Sequence, residues 1–133
     1  MANTTTRSKQ PTDGKTASTT LKLPTYDCKL IIKVVDTVSG EAVKLYKKFK
    51  IKEDFGGEAE GAMISPNLGI YYLLVGKNYL THNTLAHEIF HAAVRVTEDR
   101  GVTDEEAQAW LAGHITATIY KFLDKKKLTI KHG

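Results

Sequence analysis

The chain is poor in cysteine, proline and aromatic residues: it has one cysteine, three prolines and 8% aromatic residues among 133. The single cysteine, Cys28, excludes an internal disulfide and favours a reducing compartment. No apolar run is long enough to span a membrane, and no signal peptide is evident. We therefore expect a cytoplasmic protein with no membrane partner.

The composition divides the chain into three parts. Hydrophobic residues make up 41% of it, which suffices for one modest core. Residues 1–24 offer little to bury, so we predict an arm that is disordered or ordered by a partner. Residues 25–124 are predicted to form the folded domain. Residues 125–133 are predicted to form a basic tail.

Hydrophobic periodicity predicts an α+β fold. The expected order is β-α-β-β-α-α, in which helices pack against one face of a small twisted sheet. The predicted elements are a strand at 29–35, a helix from residue 39 to about 50, a hairpin of 62–65 with 70–75, and helices at 84–97 and 103–123.

The most informative segment is His87-Glu88-Ile89-Phe90-His91, which has the pattern H-E-x-x-H. On a helix, residues i and i+4 are about 40° and about 6 Å apart, so both imidazoles leave one face. Two histidines so placed can bind one zinc ion, and the intervening Glu88 can act as a base beside it. The simpler alternative is an amphipathic helix whose two histidines are one turn apart by accident.

Local features support a helix around this motif. Thr81 or Asn83 can cap its N-terminus, and Gly101 stands just past its expected end. No glycine or proline interrupts residues 84–97, and the apolar residues recur at helical spacing. The histidine pair is therefore expected at the edge of the core.

A catalytic zinc site needs a third protein ligand. Glu106, in the first turn of the next helix, is the preferred candidate, and Glu105 is the runner-up. The competing interpretation is a capping box, in which Glu106 bonds back to the Thr103 amide. His114 lies about 12 Å further along that helix, so we expect a hydrogen-bonded histidine in the core or at its edge.

The segments 84–92 and 105–113 resemble small phage-encoded zincin-like proteins and, more distantly, the ImmA/IrrE-like gluzincin metallopeptidases. The similarity covers residues 84–123 well and residues 28–75 only in the order of elements. It implies a minimal zincin-like domain in which His87, His91 and Glu106 bind Zn²⁺ and Glu88 is the general base. It also implies a location in the host cytoplasm or the virion, with the arm as a candidate contact for a phage or host protein.

The predicted function is that of a zinc metallopeptidase that hydrolyses a peptide bond in a peptide or protein substrate. Glu88 would accept a proton from a zinc-bound water. The resemblance implies that an edge strand holds the substrate, and residues 70–75 are the best candidate for it. Side chains that could stabilise the oxyanion are His82, Tyr71, Tyr72 and Arg95.

Two other functions compete with hydrolysis. The chain could be a non-catalytic structural or assembly protein, for example a phage particle component, built on a zincin scaffold. The net charge of +4 makes nucleic-acid binding another candidate function. The lysines are not accompanied by a motif of a known nucleic-acid-binding fold, so no specific nucleic-acid partner is expected.

Overall fold

A computed structural model describes residues 15–131. It has the predicted α+β class, with a four-stranded mixed sheet and three helices. The elements in chain order are β1 (Ala17–Leu23), β2 (Cys28–Val35), α1 (Val38–Lys48), β3 (Gly61–Asn67), β4 (Ile70–Gly76), α2 (His82–Asp99) and α3 (Glu105–Lys125). No helix within the described range has both the length and the hydropathy of a membrane span.

The strands lie in the order β1-β2-β4-β3, so β2 and β4 form the centre of the sheet. They pair in parallel, whereas β1 pairs with β2, and β3 with β4, in antiparallel fashion. Six of the seven residues of β4 are buried. This pattern is typical of a strand that is covered on both faces.

Helices cover both faces of the sheet, which corrects the expectation that they pack against one. Helices α2 and α3 pack on one face, over a core that includes Leu30, Ile32 and Leu73. Helix α1 packs on the other face, against Tyr72 and Leu74. Alternate residues of β4 thus belong to two different clusters, which is why its sequence is apolar throughout.

Strand β1 lies within residues 1–24, which were predicted to form an arm, and its presence corrects that prediction. It pairs with β2 over seven residues, from Ala17 opposite Val34 to Leu23 opposite Cys28. Its residues alternate between partly or fully buried and exposed. The threonine-rich composition suggested disorder, but threonine is also favourable in strands, and Leu21 and Leu23 pack against the core. The rest of the predicted arm, residues 1–14, lies outside the described residues.

The segment predicted to be a basic tail, residues 125–133, also differs from the prediction. Helix α3 extends to Lys125, and Leu128 and Ile130 then pack against the main core. The backbone amide of Lys131 donates a hydrogen bond to the carbonyl of Leu80 at 2.8 Å. Residues 126–131 therefore return to the start of α2, and the last two residues of the predicted tail lie outside the described range.

The end of α2 is held against the sheet by two polar side chains. The hydroxyl of Tyr71, which is fully buried in β4, donates to a carboxylate oxygen of Asp99 at 2.6 Å. The guanidinium of Arg100 donates to the carbonyls of Tyr26 and Asp27 at 2.7 and 2.9 Å. These bonds fix the orientation of α2 over the strands.

Replacing Tyr71 by phenylalanine is expected to lower the free energy of unfolding by about 1 kcal/mol at pH 7, because one hydrogen bond is lost. Burial, and then the bond to Asp99, raise the pKa of Tyr71 well above its usual value. Above about pH 10 the unfolded state therefore loses this proton while the folded state keeps it, and the wild type loses stability.

Urea denaturation at pH 7 and above pH 10 tests this, with Tyr72→Phe as the matched control. Tyr72 is also buried, but its hydroxyl makes no hydrogen bond within residues 15–131. An equal loss of stability in the two variants would contradict the role of the Asp99 bond.

Candidate metal and hydrolase site

Helix α2 begins at a threonine cap. The side chain of Thr81 accepts a hydrogen bond from the amide of Thr84 at 3.1 Å, so Thr81 rather than Asn83 is the capping residue. One side of the helix is buried, and its apolar members are Leu85, Ile89, Ala92, Ala93 and Val96. The histidine pair lies outside this stripe.

His87 and His91 are exposed, and their Nε2 atoms are 3.1 Å apart. Their rings meet edge to face, with centroids 4.6 Å apart. Two nitrogens that bind one tetrahedral zinc at 2.0–2.1 Å lie about 3.3–3.4 Å apart. The pair therefore fits two of the four positions around a zinc ion.

Glu88, the residue after His87 in α2, is buried, with only 6% of its surface exposed. Its carboxylate makes no hydrogen bond within residues 15–131. Burial raises the pKa of Glu88 above its usual value, and the neighbouring His87 and His91 partly oppose that rise. A carboxyl group in these surroundings binds a proton more readily than one in water.

Gly61, the first residue of β3, makes room for Glu88. A Cβ atom at position 61 would lie 2.8 Å from Cγ of Glu88 and 3.1 Å from Cγ2 of Thr84. Only a residue without a side chain allows the strand to approach α2 this closely. Gly61 therefore shapes the site, although the sequence alone did not single it out.

These residues border an open cleft of about 500 Å³ between the edge strand β3 and helix α2. Its walls are formed by Gly61, Met63, His87, Glu88, His91, Val94, Arg95 and Glu98. Met63 and Glu98, like Gly61, were missed in the sequence, whereas helical spacing places Val94 on the same face as the two histidines. A glycine followed two residues later by an apolar residue in a strand is a pattern that could have indicated the edge of a cleft.

The predicted third ligand does not join the pair. Within residues 15–131, no three histidine, cysteine, aspartate or glutamate side chains are placed to hold a metal ion. Glu106 borders a separate surface depression with Trp110 and His114, and Glu105 is exposed. Of the residues predicted to bind zinc, the structure brings together His87 and His91 but not Glu106 or Glu105.

Glu106 does not lie with the histidines because α3 turns a different face towards α2. At its start the inward side chain is Gln108, whose amide donates to Thr97 on α2 at 3.2 Å. The predicted capping box is also wrong, because Asp104 rather than Thr103 caps the helix and accepts from the amide of Ala107. Glu106 is therefore neither a cap nor a ligand in this structure.

The other side chains discussed in the sequence lie away from the cleft, except for Arg95. His82 is hydrogen-bonded to the hydroxyl of Tyr120 at 2.7 Å. His114 is exposed and its ring has no hydrogen bond within the described range, which corrects the expectation of a bonded histidine.

Tyr71 is hydrogen-bonded to Asp99, and Tyr72 packs on the α1 face. Of the four predicted oxyanion donors, only Arg95 borders the cleft.

The predicted substrate strand is also corrected. Residues 70–75 belong to β4, which is paired on both sides and has no free edge. Among the described residues, the strands with an unpaired outer edge are β1 and β3. Of these two, β3 is the strand that borders the cleft.

Comparison with protein-family models, with curated proteins and with solved structures finds no match to this chain.

Gly61→Ala is expected to lower the free energy of unfolding by about 1–3 kcal/mol, because the new methyl group must displace Glu88 or the strand. The matched control is Gly57→Ala, since nothing lies within 4 Å of a Cβ atom built at residue 57. Chemical denaturation of both variants measures the difference. If Gly61→Ala is as stable as its control, the close approach of β3 to α2 is wrong.

Glu88→Gln is expected to raise the free energy of unfolding by about 0.5–2 kcal/mol at pH 7, since it removes a buried charge. The raised pKa means that the folded state binds the Glu88 proton more tightly than the unfolded state does. The wild type therefore loses stability as the pH rises through the usual glutamate pKa near 4, and the advantage of the variant is absent below about pH 4.

Thermal denaturation from pH 3 to pH 8 measures this effect. Glu98→Gln is the control, because Glu98 is exposed on the same helix. A destabilised Glu88→Gln variant at neutral pH would show that the carboxylate has a structural role.

Proposed function

We propose that the chain is a metal-dependent hydrolase of peptide bonds, with Glu88 as its general base. The observation that carries the proposal is the position of the Glu88 carboxylate. The residue is 6% exposed, its carboxylate makes no hydrogen bond within the described residues, and it borders the same open cleft as the paired His87 and His91. A carboxylate that is largely removed from water is costly to keep in a fold unless it has a role.

His87 and His91 would hold the metal ion through their Nε2 atoms. When bound, zinc would act as a Lewis acid that polarises a carbonyl and lowers the pKa of water to about 7. The two imidazoles must both be neutral to serve as ligands.

Glu88 would take a proton from the attacking water and pass it to the leaving amine. A general base is most effective when its pKa is near the working pH, and burial shifts the pKa of Glu88 in that direction. The absence of a competing hydrogen bond leaves its oxygens available for this transfer.

The edge of β3 offers a place for an extended substrate. A peptide that added to this edge would make main-chain hydrogen bonds and lie along the cleft. Arg95, on the opposite wall, is exposed and has no ion pair within residues 15–131. Its guanidinium is therefore available to a substrate carbonyl or carboxylate.

The lack of a third ligand favours a second candidate function, a non-catalytic assembly role. Within residues 15–131, the two exposed histidines have no third side chain placed to complete a metal site with them. An interaction protein could use such a site to join another chain without any hydrolysis.

Glu88→Gln is expected to retain zinc and to lose hydrolysis by about 10²–10⁴-fold, because only the base is removed. His87→Ala is expected to lose both. Isothermal titration measures zinc binding, and cleavage of a dye-labelled unfolded protein, with and without chelator, measures hydrolysis.

Glu106→Ala is the control for the third ligand, and its zinc affinity should match that of the wild type. Cleavage that survives in both Glu88→Gln and His87→Ala would refute the proposal. Loss of zinc from Glu106→Ala would instead restore Glu106 to the site that the sequence predicted.

A further inference from the structure

We infer that a second copy of this chain completes the metal site, so that one zinc ion joins two chains through four histidines. This inference depends on metal binding by His87 and His91, which is part of the proposed function, and it assigns the remaining ligands. Its starting point is that residues 15–131 supply two ligands, whereas protein-bound zinc usually has three or four.

The two histidines are accessible to another molecule. Both side chains are exposed, and the cleft beside them is open to solvent. Their Nε2 atoms, 3.1 Å apart, already match one edge of a zinc tetrahedron. The opposite edge of that tetrahedron has the same length, so an identical pair from another copy fits it.

A two-fold axis through the metal ion would meet this requirement with a single kind of contact. In an isologous dimer the same surface patch is used on both subunits. If α2 of one copy crosses α2 of the other at the histidine pair, four imidazoles surround one ion.

The surface next to the histidines has the character of an interface. Phe90 is 64% exposed, and its ring centroid is 6.3 Å from that of His91. Ala86, one turn before Phe90, is also exposed. A large aromatic side chain and a small apolar one beside a pair of ligands would be covered when two α2 helices meet.

Charge also favours this arrangement. A zinc ion bound by four neutral imidazoles keeps a charge of +2. Each copy brings one Glu88, whose side chain borders the same cleft as His87 and His91. Two such carboxylates would balance the ion, whereas within residues 15–131 of one chain Glu88 has no ion pair.

The dimer would be a closed state of the site. Four imidazoles leave no position for water or substrate, and a hydrolytic site requires one. The separate chain, with its cleft open, would then be the form that binds substrate. Chain concentration and zinc level would together set the balance between the two forms.

The experiment is a zinc titration of the full chain, followed by size-exclusion chromatography with light scattering. The mass is expected to rise from 14.7 kDa to twice that value at half an equivalent of zinc. It should fall again with several equivalents, because each chain can then hold its own ion. Elemental analysis of the dimer fraction should give one zinc per two chains.

Three variants test which residues are responsible. His87→Ala should stay monomeric at every zinc level, and circular dichroism checks that it is folded. His114→Ala is the matched control, since His114 is an exposed histidine on another helix, and it should dimerise like the wild type. Phe90→Ala should weaken dimerisation by on the order of tenfold without loss of zinc binding to the single chain.

A monomer that binds one zinc per chain at all ratios would overturn the inference and leave the hydrolase proposal standing. Dimerisation that is independent of zinc, or that persists in His87→Ala, would overturn it as well. Zinc-dependent dimers from a chain without cleavage activity would support the inference while the hydrolase proposal fails.

Discussion

The close packing of the first residue of β3 against helix α2 is the constraint on which the site depends. Because Gly61 has no side chain, the strand and the helix approach each other closely and cover most of the Glu88 side chain. The same contact positions the unpaired edge of β3 along the histidine face. One residue without a Cβ atom thus brings together a buried acid, an imidazole pair and a free strand edge, none of which is unusual alone.

Much of the fold could be predicted from the sequence because its central elements have clear periodicity. The hairpin of β3 and β4 and all three helices were expected close to where they lie. Strand β1 was missed since its inward residues include alanine and threonine, which give a weak hydrophobic alternation. Composition alone cannot distinguish such a strand from a disordered arm when its partner strand supplies most of the apolar surface.

The two-histidine half of the site could also be predicted, because i and i+4 spacing on a helix is a local property. The third ligand could not, since it depends on how α3 is rotated about its own axis. That rotation is set by Leu111 and Ile115, which point into the core, and by Gln108, which bonds to α2. A capping motif in the sequence does not determine which side of a helix faces its neighbour.

The C-terminal segment has a further consequence for the site. The amide of Lys131 binds the carbonyl of Leu80, and Lys131 pairs with Thr81, the residue that caps α2. The segment that ends at Lys131 therefore anchors the first turn of the histidine-bearing helix. Trimming this stretch, or fusing a bulky partner to it, would loosen the start of that helix and with it the alignment of both imidazoles, although neither change touches the cleft.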